Sequence, residues 1–260
     1  MVNVKQIKMT PEELDICRDF SLKSASSQQA IEFGQRTTKA RPVKEIARDN
    51  LIGKIAEVAF SKMMKENYGI DVPLDFNYYP RGQWDNQDAI INGWRIDVKG
   101  TRKGGRWMLI EWNKLIFRQK DNNLSHVYVM FSVDWDRETD QPTGTVSYQG
   151  AVSLNKLRHG CPTTVILRKG EVLPGTKTVL QADNYGILFK DLYKHLNHLV
   201  YYFTSAPPPQ GMTDHFKNPK TGQTTIEIIE NRQTTAKNVP NGAKRSKKKG
   251  IISWLKSLFH

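Results

Sequence analysis

The chain has 260 residues, a formal net charge of +13 and 38% hydrophobic residues, enough for a packed domain with appendages. The charge points to phosphate polyanions as partners, because bound cations release their condensed counterions. No run of about 18 apolar residues is present, so a membrane-spanning helix is excluded, and Met1-Val2-Asn3-Val4-Lys5 lacks the apolar stretch of a secretory signal. The two cysteines, Cys17 and Cys161, have no metal-ligand spacing and are expected as reduced thiols of a cytoplasmic protein, in a bacterial or phage setting.

The first element is predicted as a helix starting at Thr10. Thr10 is the N-cap, Pro11 the first helical residue and Glu13 the capping-box partner. This helix is expected to run to about Phe20, with a Ser-rich connector over residues 22–28. A second short helix and the basic stretch Arg36–Arg41 follow. Together, residues 1–42 read as a helical N-terminal extension.

From Val43 to Tyr68 the apolar residues Ile46, Ala47, Leu51, Ile52, Ile55, Ala56, Ala59, Phe60 and Met63 recur at spacings of three and four. That is a helix, closed by Gly69 as its left-handed terminator. Glu57 borders the apolar stripe. Strand character then begins. Ala89-Ile90-Ile91 and Trp94-Arg95-Ile96-Asp97-Val98-Lys99 flank Asn92-Gly93, the strongest short hairpin signal a sequence carries. Further strands are expected at Trp107–Trp112, His126–Val133 and Thr145–Val152, with a short helix after Ser153 and another helix from about Asp191 to Tyr201. Pro207-Pro208-Pro209 ends the compact region. Thr225–Ile229 reads as a strand or as linker. Residues 206–250 are predicted as a mostly flexible linker, basic toward its end, and 251–260 as a short amphipathic segment carrying Trp254, Leu255, Leu258 and Phe259.

The tight turn fixes the pairing register. With Asn92 and Gly93 as the loop, Ile91 faces Trp94, Ala89 faces Ile96 and Asp88 faces Asp97. One face then carries Ala89, Ile91, Trp94, Ile96 and Val98 and must be core. The other carries Asp88, Ile90, Arg95, Asp97 and Lys99. Like charges opposed across a ladder destabilise it, and a divalent cation offsets that cost when carboxylates share it. Lys99, two residues past Asp97, reaches the same place. The plain alternative is a solvated charged strand face.

Asp88, Ile96-Asp97-Val98-Lys99-Gly100 and the helix carrying Glu57 in Gly53-Lys54-Ile55-Ala56-Glu57-Val58-Ala59-Phe60 resemble the PD-(D/E)xK nuclease superfamily. The resemblance spans roughly residues 45–200, with a nuclease core over 43–205. It departs from the pattern in having Gln87 instead of proline before the first acid, and Asp85 competes for the role of Asp88. It implies an α/β, restriction-endonuclease-like core, a mixed sheet flanked by helices. It implies a phosphodiesterase, endonuclease or exonuclease, acting on DNA in preference to RNA with Mg2+, for which Mn2+ can substitute. Asp88, Asp97, Glu57 and the Val98 carbonyl would hold the metal, and Lys99 would assist the attacking water.

Arg95, Arg102, Lys103 and Arg106 are candidates for gripping the nucleic-acid backbone, the last three from a Gly-rich loop beside the motif. Trp84, Tyr78, Tyr79 and Trp107 can stack on bases, although core packing is the plainer reading. His195 and His198 lack the further ligands a metal needs. The basic tail is a candidate for docking a protein partner or adding DNA affinity, ahead of a membrane role, and a homo-oligomer is compatible with the sequence. The competing function is a non-catalytic nucleic-acid-binding or assembly subunit that kept the fold.

Overall fold

The computed structural model describes residues 6–28, 42–77, 87–112, 115, 124–158 and 163–208. The chain is a mixed α/β protein. None of the described helices is long and apolar enough to cross a membrane.

The elements form in chain order for local reasons. β1 (Gln6–Lys8) leads into α1 (Pro11–Gln28). The capping box is realised in both directions. The Glu13 N–H donates to Thr10 Oγ1 at 3.2 Å and the Thr10 N–H to Glu13 Oε2 at 2.7 Å. α1 does not stop near Phe20. It runs on through the Ser-rich stretch, because those small residues pack closely: Ser21, Ser24 and Ala25 are buried, and Ala25 clusters with Ile46 and Ala47. The Ser21 and Ser26 hydroxyls donate back to the Arg18 and Leu22 carbonyls at 2.8 and 3.1 Å, so these serines remain in the helix instead of unwinding it.

α2 spans Val43–Tyr68, as its periodicity predicts. Gly69 ends it at φ 68°, its N–H on the Lys65 carbonyl, while the Ile70 N–H reaches back to Met64. β2 (Ala89–Ile91) and β3 (Trp94–Arg102) form the hairpin. β4 (Trp107–Glu111), β5 (Val127–Asp136) and β6 (Gln141–Ser153) follow, then the short α3 (Leu154–Arg158). β7 (Thr164–Leu167), β8 (Asn184–Leu188), a 3-10 turn at Phe189–Asp191 and α4 (Leu196–Ser205) complete the described chain.

The strands form two sheets. The larger has the order β1-β6-β5-β3-β2, with β3 and β5 parallel and the other neighbours antiparallel. The smaller is antiparallel, β4-β8-β7. α2 lies on one face of the larger sheet, and its Ile52, Ile55, Ala56 and Phe60 share a core with Trp94, Ile96, Val98 and Phe131. A second core forms where Tyr128, Met130 and Val152 meet Met108, Ile110, Tyr185 and Ile187 of the smaller sheet. The N-terminal segment joins the first core through Ile7, Met9, Leu14 and Cys17, and β1 adds an edge strand to the larger sheet.

The helix expected from Asp191 begins at Leu196. The residues before it are extended: Tyr193 exchanges two 2.9 Å backbone hydrogen bonds with Ala151, and the Lys194 amine caps the Gln149 and Phe189 carbonyls. Gly150, at φ 126°, permits that approach, since a Cβ there would lie 2.6 Å from Leu192 Cβ. The expected second short helix, the Arg36–Arg41 stretch, Tyr78, Tyr79, Trp84, Asp85, Cys161, Thr225–Ile229 and the 251–260 segment lie outside the described residues.

Candidate active site

The hairpin register is the expected one: Ile91 opposes Trp94, Ile90 opposes Arg95 and Ala89 opposes Ile96. Asn92 and Gly93 have φ of 46° and 80°, the positive pair a type I′ turn requires. Ala89, Ile91, Trp94, Ile96 and Val98 are all buried, as the alternation demands. Continuing the register by one pair sets Asp88 beside Asp97.

β2 ends at Ala89, so the next backbone groups of β3 on that side, those of Val98, lie past the end of the short strand. The Asp88 carboxylate fills this place, its Oδ2 accepting the Val98 N–H at 2.6 Å. The Val98 carbonyl points to the same edge, because the N–H and C=O of one strand residue project together. On the face away from α2, Asp97 Oδ1 lies 2.5 Å from Lys99 Nζ. The acid is 5% exposed and the amine 30%, so the pair runs from the interior toward solvent. Strand β5 backs it in parallel register, with Tyr128 beside Asp97 and Met130 beside Lys99. A carboxylate is expensive to bury there, and the adjacent ammonium offsets part of that cost.

Asp88, Asp97 and Lys99 therefore converge on three consecutive positions of β3, 97 to 99. Glu57 belongs to a different set of contacts. Its Oε2 is 2.5 Å from Lys54 Nζ, one helical turn earlier on α2. Lys54 is itself buried, donates to the Asp75 carbonyl at 2.8 Å, and lies over the Phe20 and Phe76 rings at 4.3 and 5.2 Å. The β3 residues that face α2 are Ile96, Val98 and Gly100, whereas Asp97 and Lys99 alternate to the other side. Among the described residues, no three His, Cys, Asp or Glu side chains group as a metal-holding set.

Of the four expected backbone-gripping cations, Arg95, Arg102 and Lys103 have side-chain partners within the protein. Arg95 Nε donates to the Leu124 carbonyl at 2.7 Å. Arg102 stacks on Trp135 at 4.4 Å and lies 3.3 Å from Asp140, which also accepts the Trp135 Nε1–H at 3.0 Å. Lys103 pairs with Asp134 at 3.0 Å while remaining largely exposed. The Arg106 side chain is exposed, and its carbonyl accepts the Phe189 N–H. Trp107 donates its indole N–H to the Pro174 carbonyl at 3.1 Å. His195 and His198 stack on each other at 5.4 Å, with Tyr193 Oη 2.9 Å from His198 Nδ1.

Sequence reasoning missed two groups. His126 is buried, and its Nδ1 accepts the Arg95 backbone N–H at 2.9 Å while the His126 backbone N–H donates to the Arg95 carbonyl. Burial, with the Arg95 charge second, pushes its imidazole down to about 4, so it is neutral and its Nδ1 is the acceptor at neutral pH. It fixes where β5 begins against β3, two residues before the motif. Lys54 is the other. The signal for it was a lysine sitting inside the apolar stripe of α2. The chain matches no protein-family model, no curated protein and no solved structure.

Proposed function

We propose that this chain is a metal-dependent nuclease of the PD-(D/E)xK type with a restriction-endonuclease-like core, hydrolysing phosphodiester bonds in DNA in preference to RNA. The observation that carries the reading is the Asp97–Lys99 pair, 2.5 Å apart and leading out of the interior, with Asp88 pinned beside it on the Val98 N–H. A helix on one face of the sheet and a parallel β3–β5 pair next to the hairpin agree with such a core.

The donor set suits Mg2+. Asp88 brings a carboxylate whose Oδ2 is held by the Val98 N–H. Asp97 and the Val98 carbonyl add hard oxygen donors on adjacent positions, the ligand type Mg2+ selects, with phosphate and water completing the shell. Bound there, the ion would polarise the phosphoryl oxygen and lower the pKa of the attacking water. Lys99 carries a positive charge to the solvent-facing end of the pair. From there it orients a water and neutralises a phosphate oxygen, while Asp97 holds its amine in place. The Val98 N–H fixes the Asp88 carboxylate before substrate arrives. Glu57, expected as a third metal ligand, supports Lys54 in this reading, and the proposed metal site rests on Asp88, Asp97 and the Val98 carbonyl.

The second reading, a non-catalytic nucleic-acid-binding subunit, draws on one observation: the Glu57 charge is matched by Lys54 and the Asp97 charge by Lys99. Incubating the protein with single- and double-stranded DNA and with RNA, in Mg2+, Mn2+ or chelator, separates the two. Metal-dependent cutting should fall by about 100-fold or more in Asp97→Ala and in Lys99→Ala, while binding persists. Cutting that survives Asp97→Ala removes the site. Binding with no cutting under any condition favours the second reading.

A further inference from the structure

We propose that the ribbon between β7 and β8, residues 168–181, together with Arg106 of the Gly-rich turn, is a duplex-binding arm that continues the track from Asp97 and Lys99. That the duplex is also the substrate rests on the nuclease reading. The ribbon runs out from the smaller sheet and back. The Gly170 N–H donates to the Leu180 carbonyl at 2.8 Å, the Leu180 N–H to the Glu171 carbonyl at 2.9 Å and the Leu173 N–H to the Thr178 carbonyl at 2.8 Å, with Val172 opposite Val179. A chain of contacts joins its tip to the candidate site. Thr101 follows Lys99 by two residues, so both project from the face of β3 turned away from α2, roughly 6.6 Å apart along the strand. The turn folds back on Thr101: a Cβ on Gly105 would lie 2.9 Å from its Oγ1. The next two residues meet the ribbon. Arg106 Nη1 would lie 3.9 Å from a Cβ on Gly175, and Trp107 Nε1–H donates to the Pro174 carbonyl at 3.1 Å. The indole is itself seated on β8, with its Cε3 3.3 Å from where a Cβ on Gly186 would stand.

Charge selects the occupant. Residues 103–106 and 168–181 hold five Lys and Arg and one acid, Glu171, which accepts the Arg168 backbone N–H at 2.8 Å. Lys103 pairs with Asp134 and Arg168 with Asp183. Arg106, Lys169 and Lys177 are exposed, and among the described residues no acid pairs with them. Val172 and Val179 are 54% and 47% exposed, so the apolar face of the ribbon is not packed on the fold. A two-stranded ribbon fits the major groove, about 12 Å wide, where apolar side chains meet thymine methyl groups. Lys169 at the base of the ribbon, and Lys177 and Arg106 at its tip, then reach the phosphates that flank the groove.

The test uses the full-length chain carrying Arg106→Gln, Lys169→Gln and Lys177→Gln together. Binding to a labelled duplex is measured in chelator across a salt series. Three lost phosphate contacts make the slope of log K against log salt shallower by about 2.7, at roughly 0.9 per contact. The comparison variant carries Lys8→Gln, Lys23→Gln and Lys65→Gln, an equal charge removed from exposed positions on β1, α1 and α2. Its slope should change by less than about 1. Both variants should keep the parent Tm, since every substituted side chain is exposed. A change below about 1 in the arm variant, or an equal change in the two variants, overturns the proposal. So does a parent chain that leaves the duplex unbound. The same loss on a single strand of equal length overturns the assignment to a duplex groove. Since binding is read without metal, a shallower slope with no cutting under any condition refutes only the nuclease reading. Metal-dependent cutting with an unchanged slope refutes only this inference.

Discussion

Gly100 follows Lys99 at the point where β3 crosses α2. A Cβ built on it would lie 2.6 Å from the Ile52 carbonyl oxygen and 3.1 Å from Ala56 Cβ. The obstacle is helix backbone, so no rotamer change relieves it. On its other side β3 is hydrogen-bonded to β5, with Gly100 opposite Phe131, a fully buried residue. Gly100→Ala must therefore push the helix and sheet apart by several tenths of an ångström through the main core. Overpacking of this kind costs about 1–3 kcal/mol, and the backbone clash puts the expectation near the upper end. For a domain of this size that corresponds to a fall in Tm of roughly 5–10 °C. Gly53 is the control. It sits one residue from Ile52 in the same helix, with no heavy atom within 4 Å of an added Cβ. Gly53→Ala should raise stability by about 0.5–1 kcal/mol through helix propensity. Thermal unfolding followed by circular dichroism reads both. A Gly100→Ala protein with an unchanged or higher Tm refutes the claim that α2 and β3 touch through this glycine.

Three further outcomes follow from single contacts. Asp88→Ala removes the carboxylate from the Val98 N–H and should cost about 1–2 kcal/mol in urea unfolding, whereas Asp88→Asn keeps an acceptor oxygen, so it should retain most of the stability while losing metal-dependent cutting. His126 is neutral in the fold down to about 4 but takes up a proton near 6.5 when unfolded. The unfolded chain therefore binds more protons across that window, and stability should rise by about 1–3 kcal/mol from pH 4 to pH 6.5 and then level. His126→Asn, which keeps an acceptor for the Arg95 N–H, should flatten this dependence when urea midpoints are compared across pH. The Cys17 thiol is fully buried, and burial pushes it up to about 12. Iodoacetamide at pH 8 should leave the Cys17 peptide unlabelled in the native protein and label it on unfolding, and fast native labelling would contradict the packing of α1 on α2.

What was legible in the sequence was local. The Thr10–Glu13 box, the Gly69 terminator and the Asn92-Gly93 reversal each depend on a few neighbouring residues, and each forms as read. The hairpin's buried and polar faces followed from alternation alone. What escaped depends on partners far along the chain. β1 has three residues, and β7 and β8 are short; they are strands because β6 offers β1 an edge, β4 offers one to β8, and β8 one to β7. Leu192 and Tyr193 suit a helix by pattern, yet pairing with Ala151 extends them. α1 outlasted its Ser-rich stretch because small buried residues let α2 approach. At the site, the register put Asp88 and Asp97 together, but not the use of an Asp88 oxygen on the Val98 N–H. Reading α2 as an apolar stripe bordered by Glu57 passed over Lys54, the buried cation that engages that acid.

Asp97 is the residue whose placement stability alone explains least. Its neighbours along the face are Tyr128 and Met130 of the inter-sheet core, and an apolar side chain would fill the position at lower cost. Lys99 is only partly buried, so it neutralises the acid without itself being sealed in. Removing Lys99 by Lys99→Met leaves a buried carboxylate without this cation and should destabilise by about 2–4 kcal/mol. Replacing both, Asp97→Leu with Lys99→Met, removes the charge together with its desolvation cost, and buried pairs so replaced are often neutral or more stable by about 1–4 kcal/mol. The double variant should therefore recover or exceed the parent Tm while losing all cutting. A double variant that falls as far as the two single variants together would mean that the pair is there to hold the sheets, and the principal support for a reaction at Asp97 would be gone.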